Sequence, residues 1–353
     1  MLRKFIASSI ILLPLATAPE QLPGKIIVIG SAMYDQVIEC AKDEITEDIL
    51  SGIKIDIRRV RCCAGGGCIN CARVFHHLGL PIIPFFKVGN DQLGTILLNQ
   101  ISEDDIDTSF AQRDPKMATG TSFIIPTPSG NRTLFVYRGA NETLSGAELN
   151  LENLPEKPSG IYIAPTNIRL LIDLVNYARK HKISVMHNPS RTELTSHADT
   201  LEMQLPCITI LQVNRQEAEL FFKHLEPKEN FSLTAFFTAV HQRGTPLILL
   251  TDGSHGAYLA KQNSILYHPC PSAEVKCTVG AGDALGATFF GALLYGVTEE
   301  DALRASIMQS IAQVTGTPQL SLAALLERVQ NEPSVIHKKI TGQIFDKGIS
   351  GRT

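Results

Sequence analysis

The run Ile26-Ile27-Val28-Ile29-Gly30 constrains this chain more than any other feature. Four consecutive β-branched residues ended by glycine suit a strand buried on both faces, and such strands belong in parallel sheets covered by helices. Similar runs recur at residues 161–164, 184–186, 208–213 and 247–251, with helix-like stretches such as 70–78 between them. Strands alternating with helices predict a doubly wound, mainly parallel α/β sheet.

Two stretches read differently. Residues 36–62 alternate charged and apolar types, with Ile53, Ile55, Ile57 and Val60 on the apolar side. Residues 121–138 do the same around the turn signal Pro128-Ser129-Gly130-Asn131. Both predict half-exposed antiparallel strands, a small sheet attached to the main one as a lid. A length of 353 residues with 44% hydrophobic content is enough for one large domain of this kind. It should run over about 25–332, with lid strands from about 36–62 and 117–138, and a peripheral tail at 333–353.

The first 24 residues read as a leader, signal-like or disordered. Met1-Leu2-Arg3-Lys4 and the apolar run 5–18 have the basic and hydrophobic parts of a secretory signal, but Pro19 follows the A-x-A-like site Ala16-Thr17-Ala18 and disfavours cleavage there. A cytoplasmic protein is the expectation, with secretion as the minority reading. Net charge is −3 and the basic residues are spread along the chain, which argues against nucleic-acid and membrane partners. Eight cysteines are too few to staple a chain of this length and read as reduced thiols.

The chemistry is carried by Cys277-Thr278-Val279-Gly280-Ala281-Gly282-Asp283, which opens an apolar helix reaching at least to Leu294. Amides in such a glycine turn, added to the positive end of the helix dipole, make an anion hole suited to phosphoryl charge. Asp283 in the first turn is placed to act as a general base on an attacking hydroxyl. On this segment alone, a tight turn with Asp283 as a helix cap remains an alternative. A dinucleotide fingerprint is disfavoured, because no acidic residue ends a strand about 20 residues on. There is also no P-loop sequence G-x-x-x-x-G-K-[ST].

The wider pattern resolves the choice. Gly65-Gly66 before Asn70-x-Ala72, Gly89-Asn90-Asp91-x-x-Gly94, Thr119-Gly120-Thr121, Gly139-Ala140-Asn141, Asn188-Pro189, Asn214-x-x-Glu217, Thr251-x-Gly253-x-x-Gly256 and the Gly-Ala-Gly-Asp turn occur in this order. Together they resemble the ribokinase-like (PfkB) family of carbohydrate and nucleoside kinases over residues 25–330. The resemblance implies a three-layer α/β/α fold with a β lid, and an ATP- and Mg²⁺-dependent kinase that phosphorylates a hydroxymethyl group.

It further implies Asp283 as catalytic base, with Gly280, Ala281 and Gly282 as the anion hole. Substrate contacts would come from Asp35, Gly65, Gly66, Asn70 and Arg138. Asn214, Thr251, Gly253, Gly256 and Thr278 would border the nucleotide, and Asn214 with Glu217 would organise Mg²⁺ largely through water, as that ion's retained hydration allows. A homodimer through the lid is implied as well.

Departures limit the acceptor and the cation. Cys277 stands where many relatives have an aspartate that helps hold an activating monovalent cation, so K⁺ activation is doubtful. Met33 replaces an asparagine, and Gly67-Cys68-Ile69 replaces Lys-Gly-Ala, which weakens a ribose-specific pocket. The acceptor stays open among free sugars, sugar acids, sugar phosphates and nucleosides, pseudouridine included. A ligand-binding sensor without turnover is the competing class. Cys62, Cys63, Cys68 and Cys71 lack the two separated C-x-x-C knuckles of a zinc site. They read as packed cysteines beside a cleft, with Cys68-x-x-Cys71 as a redox pair of lowered pKa the lesser alternative.

Overall fold

The computed structural model describes residues 24–40, 54, 56–126, 132–154, 156–331 and 336–339. The leader, Ile53 and Ile55 of the apolar alternation, the turn at 128–131 and most of the tail lie outside them.

The strands are β1 (Ile26–Ile29), β2 (Met33–Cys40), β3 (Ile57–Gly65), β4 (Ile82–Phe85), β5 (Lys87–Gly89), β6 (Gln112–Asp114), β7 (Thr121–Pro126), β8 (Arg132–Tyr137), β9 (Gly160–Ile163), β10 (Ser184–His187), β11 (Ile210–Asn214), β12 (Leu247–Thr251), β13 (Ala257–Lys261), β14 (Ser264–His268) and β15 (Ile336–Lys339). The helices are α1 (Gly67–His77), α2 (Gln92–Glu103), α3 (Gly146–Leu149), α4 (Ile168–His181), α5 (Arg191–Thr195), α6 (Ala198–Gln204), α7 (Arg215–Leu225), α8 (Leu233–Gln242), α9 (Ala281–Leu294), α10 (Glu299–Thr315) and α11 (Leu322–Val329).

The main sheet has the order β15-β14-β13-β12-β11-β10-β9-β1-β4. It is parallel from β4 to β12 and antiparallel from β12 to β15. The period of two along β1 sorts its side chains between two cores. Ile26 and Val28 join residues of α1, α9, α10 and α11 on one face, while Ile27 and Ile29 join α4, α6, α7 and α8 on the other. All four are at most 1% exposed, and full burial of each contributes roughly 1.5–3 kcal/mol. This is the three-layer α/β/α arrangement expected from the alternating pattern. No helix among the described residues is long and apolar enough to cross a membrane.

The lid is a four-stranded sheet, β3-β2-β7-β8. Its outer pairs β2–β3 and β7–β8 are antiparallel, but β2 and β7 run parallel in the middle, so the lid is mixed rather than wholly antiparallel. The reason is topological: each antiparallel pair leaves the main domain and returns as a unit, and the two units meet side by side in the same direction. β5 and β6 add a short parallel pair that the sequence did not announce.

The chain runs from β1 to β4 on one side of it and later returns as β9 on the other, so the winding reverses beside β1. In open α/β sheets a crevice at the carboxyl ends of the strands forms at such a reversal. The lid is rooted there, because β2 begins only four residues after β1 ends.

Candidate active site

The crossings between lid and main domain are tied together by Asn141. Its Oδ1 accepts from Ala32 N at 2.8 Å, and its Nδ2 donates to Ala32 O at 3.0 Å and to Arg138 O at 2.8 Å. The exit from β1 and the return from β8 are thus held by one amide side chain. Asp91 performs the same service nearby: it caps α2 through Gly94 N at 2.8 Å and accepts from both Thr119 N and Thr119 Oγ1 at the entry to β7. Two of the glycine-rich sequence motifs therefore build the frame of the lid.

Beside this frame, α9 starts at a glycine turn. Gly280 has φ of 79°, in the left-handed region open to glycine, and supplies no side-chain cap to the helix. Most of the longer helices are capped by a side chain instead, Asp91, Asn167, Asn214, Ser232, Thr298 and Ser321 among them. The turn is pinned from behind. Gln212 Nε2 donates to Gly282 O at 2.8 Å, Tyr162 OH donates to Gln212 Oε1 at 2.9 Å, and Gln313 Nε2 donates to Val279 O at 3.1 Å. A Cβ on Gly286 would stand 1.9 Å from Gln212 Oε1, so the helix docks on this bridge only with glycine there.

Gln212, Tyr162 and Gln313 were not singled out from the sequence. Gln212 left a faint signal, a lone polar residue inside an otherwise apolar strand and two positions before Asn214.

Asp283 lies in the first turn of α9 and accepts from Asn70 Nδ2 at 2.8 Å. Asn70 reaches it because α1 and α9 pack side by side on one face of the sheet. Gly66 opens α1 with φ of 90°, where a Cβ would lie 2.5 Å from Ser31 O. Gly65 meets the substrate-side carboxylate expected in the lid: a Cβ there would stand 1.9 Å from Asp35 Oδ2. Asp35 is 8% exposed, and Ser122 Oγ donates to its Oδ1. Burial pushes the Asp35 carboxyl above the usual carboxylate range, the Ser122 hydroxyl and the Arg73 charge pull it back, and the Asp283 charge adds to the rise. Asp35, Gly65, Gly66, Asn70 and Asp283 thus form one constellation.

Asn214 and Glu217 form a capping box at the start of α7. Glu217 N donates to Asn214 Oδ1 at 2.9 Å, and Asn214 N donates to Glu217 Oε2 at 2.8 Å. Burial raises the Glu217 pKa, the hydrogen bonds with Asn214 lower it, and the Asp283 charge adds to the rise, so the two carboxylates lie within electrostatic reach of each other. Asn214 pairs in register with Thr251, so the ends of β11 and β12 stand together. Gly253, with φ of 54°, has open space around it, whereas a Cβ on Gly256 would stand 2.1 Å from His268 O. Thr278 O accepts from Ala281 N at 3.4 Å, inside the glycine turn. Cys277 is exposed, and its amide donates to Val314 O at 3.1 Å.

The remaining expected substrate contact is Arg138. It lines a cavity of about 360 Å³ with Ser31, Asn141, Asn167, Arg169 and His197, among others, and the lining includes none of Asp35, Asn70 and Asp283.

The four clustered cysteines divide between lid and core. Cys62 and Cys63 are exposed on β3; Cys68 and Cys71 are buried in α1. The lowered pKa considered for Cys68 and Cys71 is corrected: burial pushes both thiols far above the ordinary value, because the start of α1 is enclosed in apolar surroundings that penalise a thiolate more than the helix dipole favours it.

The family model described as pfkB family carbohydrate kinase matches residues 24–318. A ribokinase of Bacillus subtilis is 28% identical over 287 residues, covering 79% of this chain and 89% of its own length. Among solved structures, Arabidopsis thaliana ribokinase complexed with ribose and ATP has a TM-score of 0.71 at 20% identity, covering 87% of this chain and 99% of that one. A Burkholderia thailandensis nucleoside kinase in complex with inosine has a TM-score of 0.71 at 16% identity, covering 87% and 98%.

Proposed function

This chain belongs to the pfkB family of carbohydrate kinases, phosphotransferases with an alcohol group as acceptor, and from that premise we propose that Asp283 is the base that prepares the acceptor hydroxyl. The observation that carries the reading is the Asn70–Asp283 hydrogen bond at the mouth of a helix whose first turn is capped by glycine alone.

Asp283 takes the proton of a hydroxymethyl group on a sugar or sugar derivative. The oxygen then bonds to the γ-phosphorus of ATP as the bridging bond to the β-phosphate breaks, and ADP leaves. Asn70 holds the carboxylate so that one oxygen faces the acceptor, and Asp35, with room made by Gly65, binds acceptor hydroxyls. The amides of Gly280, Ala281 and Gly282 meet the charge that develops on the phosphoryl oxygens. Thr251, Gly253, Gly256 and Thr278 border the nucleotide. Arg138 binds the end of a longer acceptor that reaches into its cavity.

Mg²⁺ fits this set on one observation: Glu217 is a carboxylate whose pKa is raised first by burial and further by the Asp283 charge, and a cation there would offset both. The capping box occupies Asn214 Oδ1 and Glu217 Oε2, so the two residues would hold the ion through water. When bound, it supplies positive charge to the triphosphate. Closing of the lid excludes water from the transfer. The protein works in the cytoplasm, where ATP is supplied.

The test is ADP release from Mg·ATP against ribose, fructose, 2-keto-3-deoxygluconate, sugar phosphates, adenosine, inosine and pseudouridine, with and without potassium. Turnover with a sugar or sugar derivative is expected, and Asp283→Asn should lower it by several orders of magnitude while folding and ATP binding persist. Turnover confined to nucleosides would replace the sugar reading. Equal rates in variant and parent would remove Asp283 as base, and binding without turnover across the panel would make the protein a sensor.

A further inference from the structure

In the lid, the residues opposite Asp35 are Cys63 on β3 and Ser122 on β7. Residues directly opposite one another in a sheet share a face, so the Ser122 hydroxyl and the Asp35 carboxylate lie side by side. Both are enclosed, with Ser122 3% and Asp35 8% exposed. Ser122 Oγ donates to Oδ1, while Oδ2 rests against the bare Cα side of Gly65 and has no other hydrogen-bond partner among the described residues.

This division of labour between the two oxygens has a consequence for the acceptor. We infer that Ser122 is a positioning residue for substrate recognition, fixing the Asp35 carboxylate so that Oδ2 is presented to an acceptor hydroxyl. The inference rests on the kinase reading and on Asp35 as the acceptor-binding carboxylate.

Two physical effects act together. A hydrogen bond from a neutral donor to a buried carboxylate restricts its rotation, so less ordering remains to be done when the acceptor binds. It also favours the charged form against the desolvation that burial imposes. Without the hydroxyl, the carboxylate would be freer to turn and would hold its proton to higher pH. A protonated Asp35 binds acceptor hydroxyls less well, since hydrogen bonds to a charged acceptor are the stronger ones. The Ser122 hydroxyl donates to Asp35, so its loss should be felt in acceptor affinity rather than in the chemical step.

The experiment measures kcat and KM for the acceptor found by the panel, and KM for Mg·ATP, over a range of pH. The parent is compared with Ser122→Ala, Ser122→Thr, Asp35→Asn and the double variant Ser122→Ala/Asp35→Asn. In Ser122→Ala the acceptor KM should rise about tenfold with kcat and the ATP KM within about twofold, and the acid limb of kcat/KM should move to higher pH. Ser122→Thr, which keeps the hydroxyl, should restore parent behaviour. In the Asp35→Asn background the Ser122→Ala change should have no further effect, because its route runs through the carboxylate.

An unchanged acceptor KM and pH profile in Ser122→Ala would overturn the inference, as would an equal loss in Ser122→Ala and Ser122→Thr or full additivity with Asp35→Asn. If Ser122→Ala fails to fold, Ser122→Thr and Ser122→Cys decide between hydroxyl donation and packing by the same acceptor KM. A parent that turns over nothing on the panel sinks the kinase reading itself and this inference with it, an outcome distinct from an active parent indifferent to Ser122.

Discussion

Asn70 Nδ2 and Asp283 Oδ2 stand 2.8 Å apart and join helices 213 residues distant in sequence. The amide can donate to the carboxylate without competing for the acceptor's proton, so in the proposed mechanism it would hold the base rather than act as a second one.

Replacing it tests that division. Asn70→Ala should reduce kcat roughly ten- to a hundredfold, the range for losing a hydrogen bond to a charged group, with the ATP KM unchanged. Steady-state kinetics on the active acceptor checks this. Unchanged kcat would mean that Asp283 is oriented by other neighbours.

Gly65 adjoins Asp35 so closely that a methyl group would displace the carboxylate. Gly65→Ala should raise the acceptor KM by about tenfold or more while the ATP KM stays level, because the clash falls on acceptor binding alone. Isothermal calorimetry with the acceptor gives an independent reading. Parent-like affinity would place the acceptor away from Asp35.

Acid stability should depend on Asp114. Thr143 Oγ1, Lys116 N and Met117 N all donate to its carboxylate, and Lys87 Nζ lies 3.4 Å away. The Thr143 hydroxyl and the two amides hold its pKa well below the usual carboxylate range. A depressed folded-state pKa contributes stability above the unfolded carboxylate pKa of about 4 and loses it as pH falls further. Asp35 and Glu217, both raised, act with the opposite sign: what they contribute is present at low pH and is lost as pH rises through their folded pKa values. Asp114→Asn should lower stability at pH 7 by about 2 kcal/mol and flatten its fall below about pH 4. Urea unfolding at several pH values measures both, and parent-like curves would refute the assignment.

One face of the lid carries Phe123, Phe135 and Tyr137, exposed by 41%, 46% and 49%. Phe123 and Phe135 are directly paired and Tyr137 lies two residues on, so they form one apolar patch of the kind that marks association. Sedimentation should show a dimer, and Phe135→Glu should dissociate it at micromolar concentration. A parent that sediments as a monomer throughout would refute lid pairing.

Much of this was legible in the chain. Glycines at 65, 66 and 280 are needed because a side chain would collide or a left-handed turn would strain, and such backbone requirements are written locally. The capping box of Asn214 and Glu217 was equally local, with N-x-x-E spacing at a helix start, but the resemblance drew attention to metal instead. The fate of Cys68 and Cys71 was not local: a helix start suggests activated thiols, and only their enclosure between α1 and the sheet reverses that.

By itself the sequence determined which segments are buried strands, that helices cover them on both sides, and that a glycine turn opens the helix bearing Asp283. These follow from backbone preferences and hydrophobic period, which act within a few residues. The tertiary structure alone decided that Ser122 meets Asp35, that Gln212 and Tyr162 brace Gly282, and that Arg138 lines a cavity with Asn167 and His197. Such meetings depend on strand register and helix docking between distant segments, where a shift of one residue would turn each side chain to the opposite face.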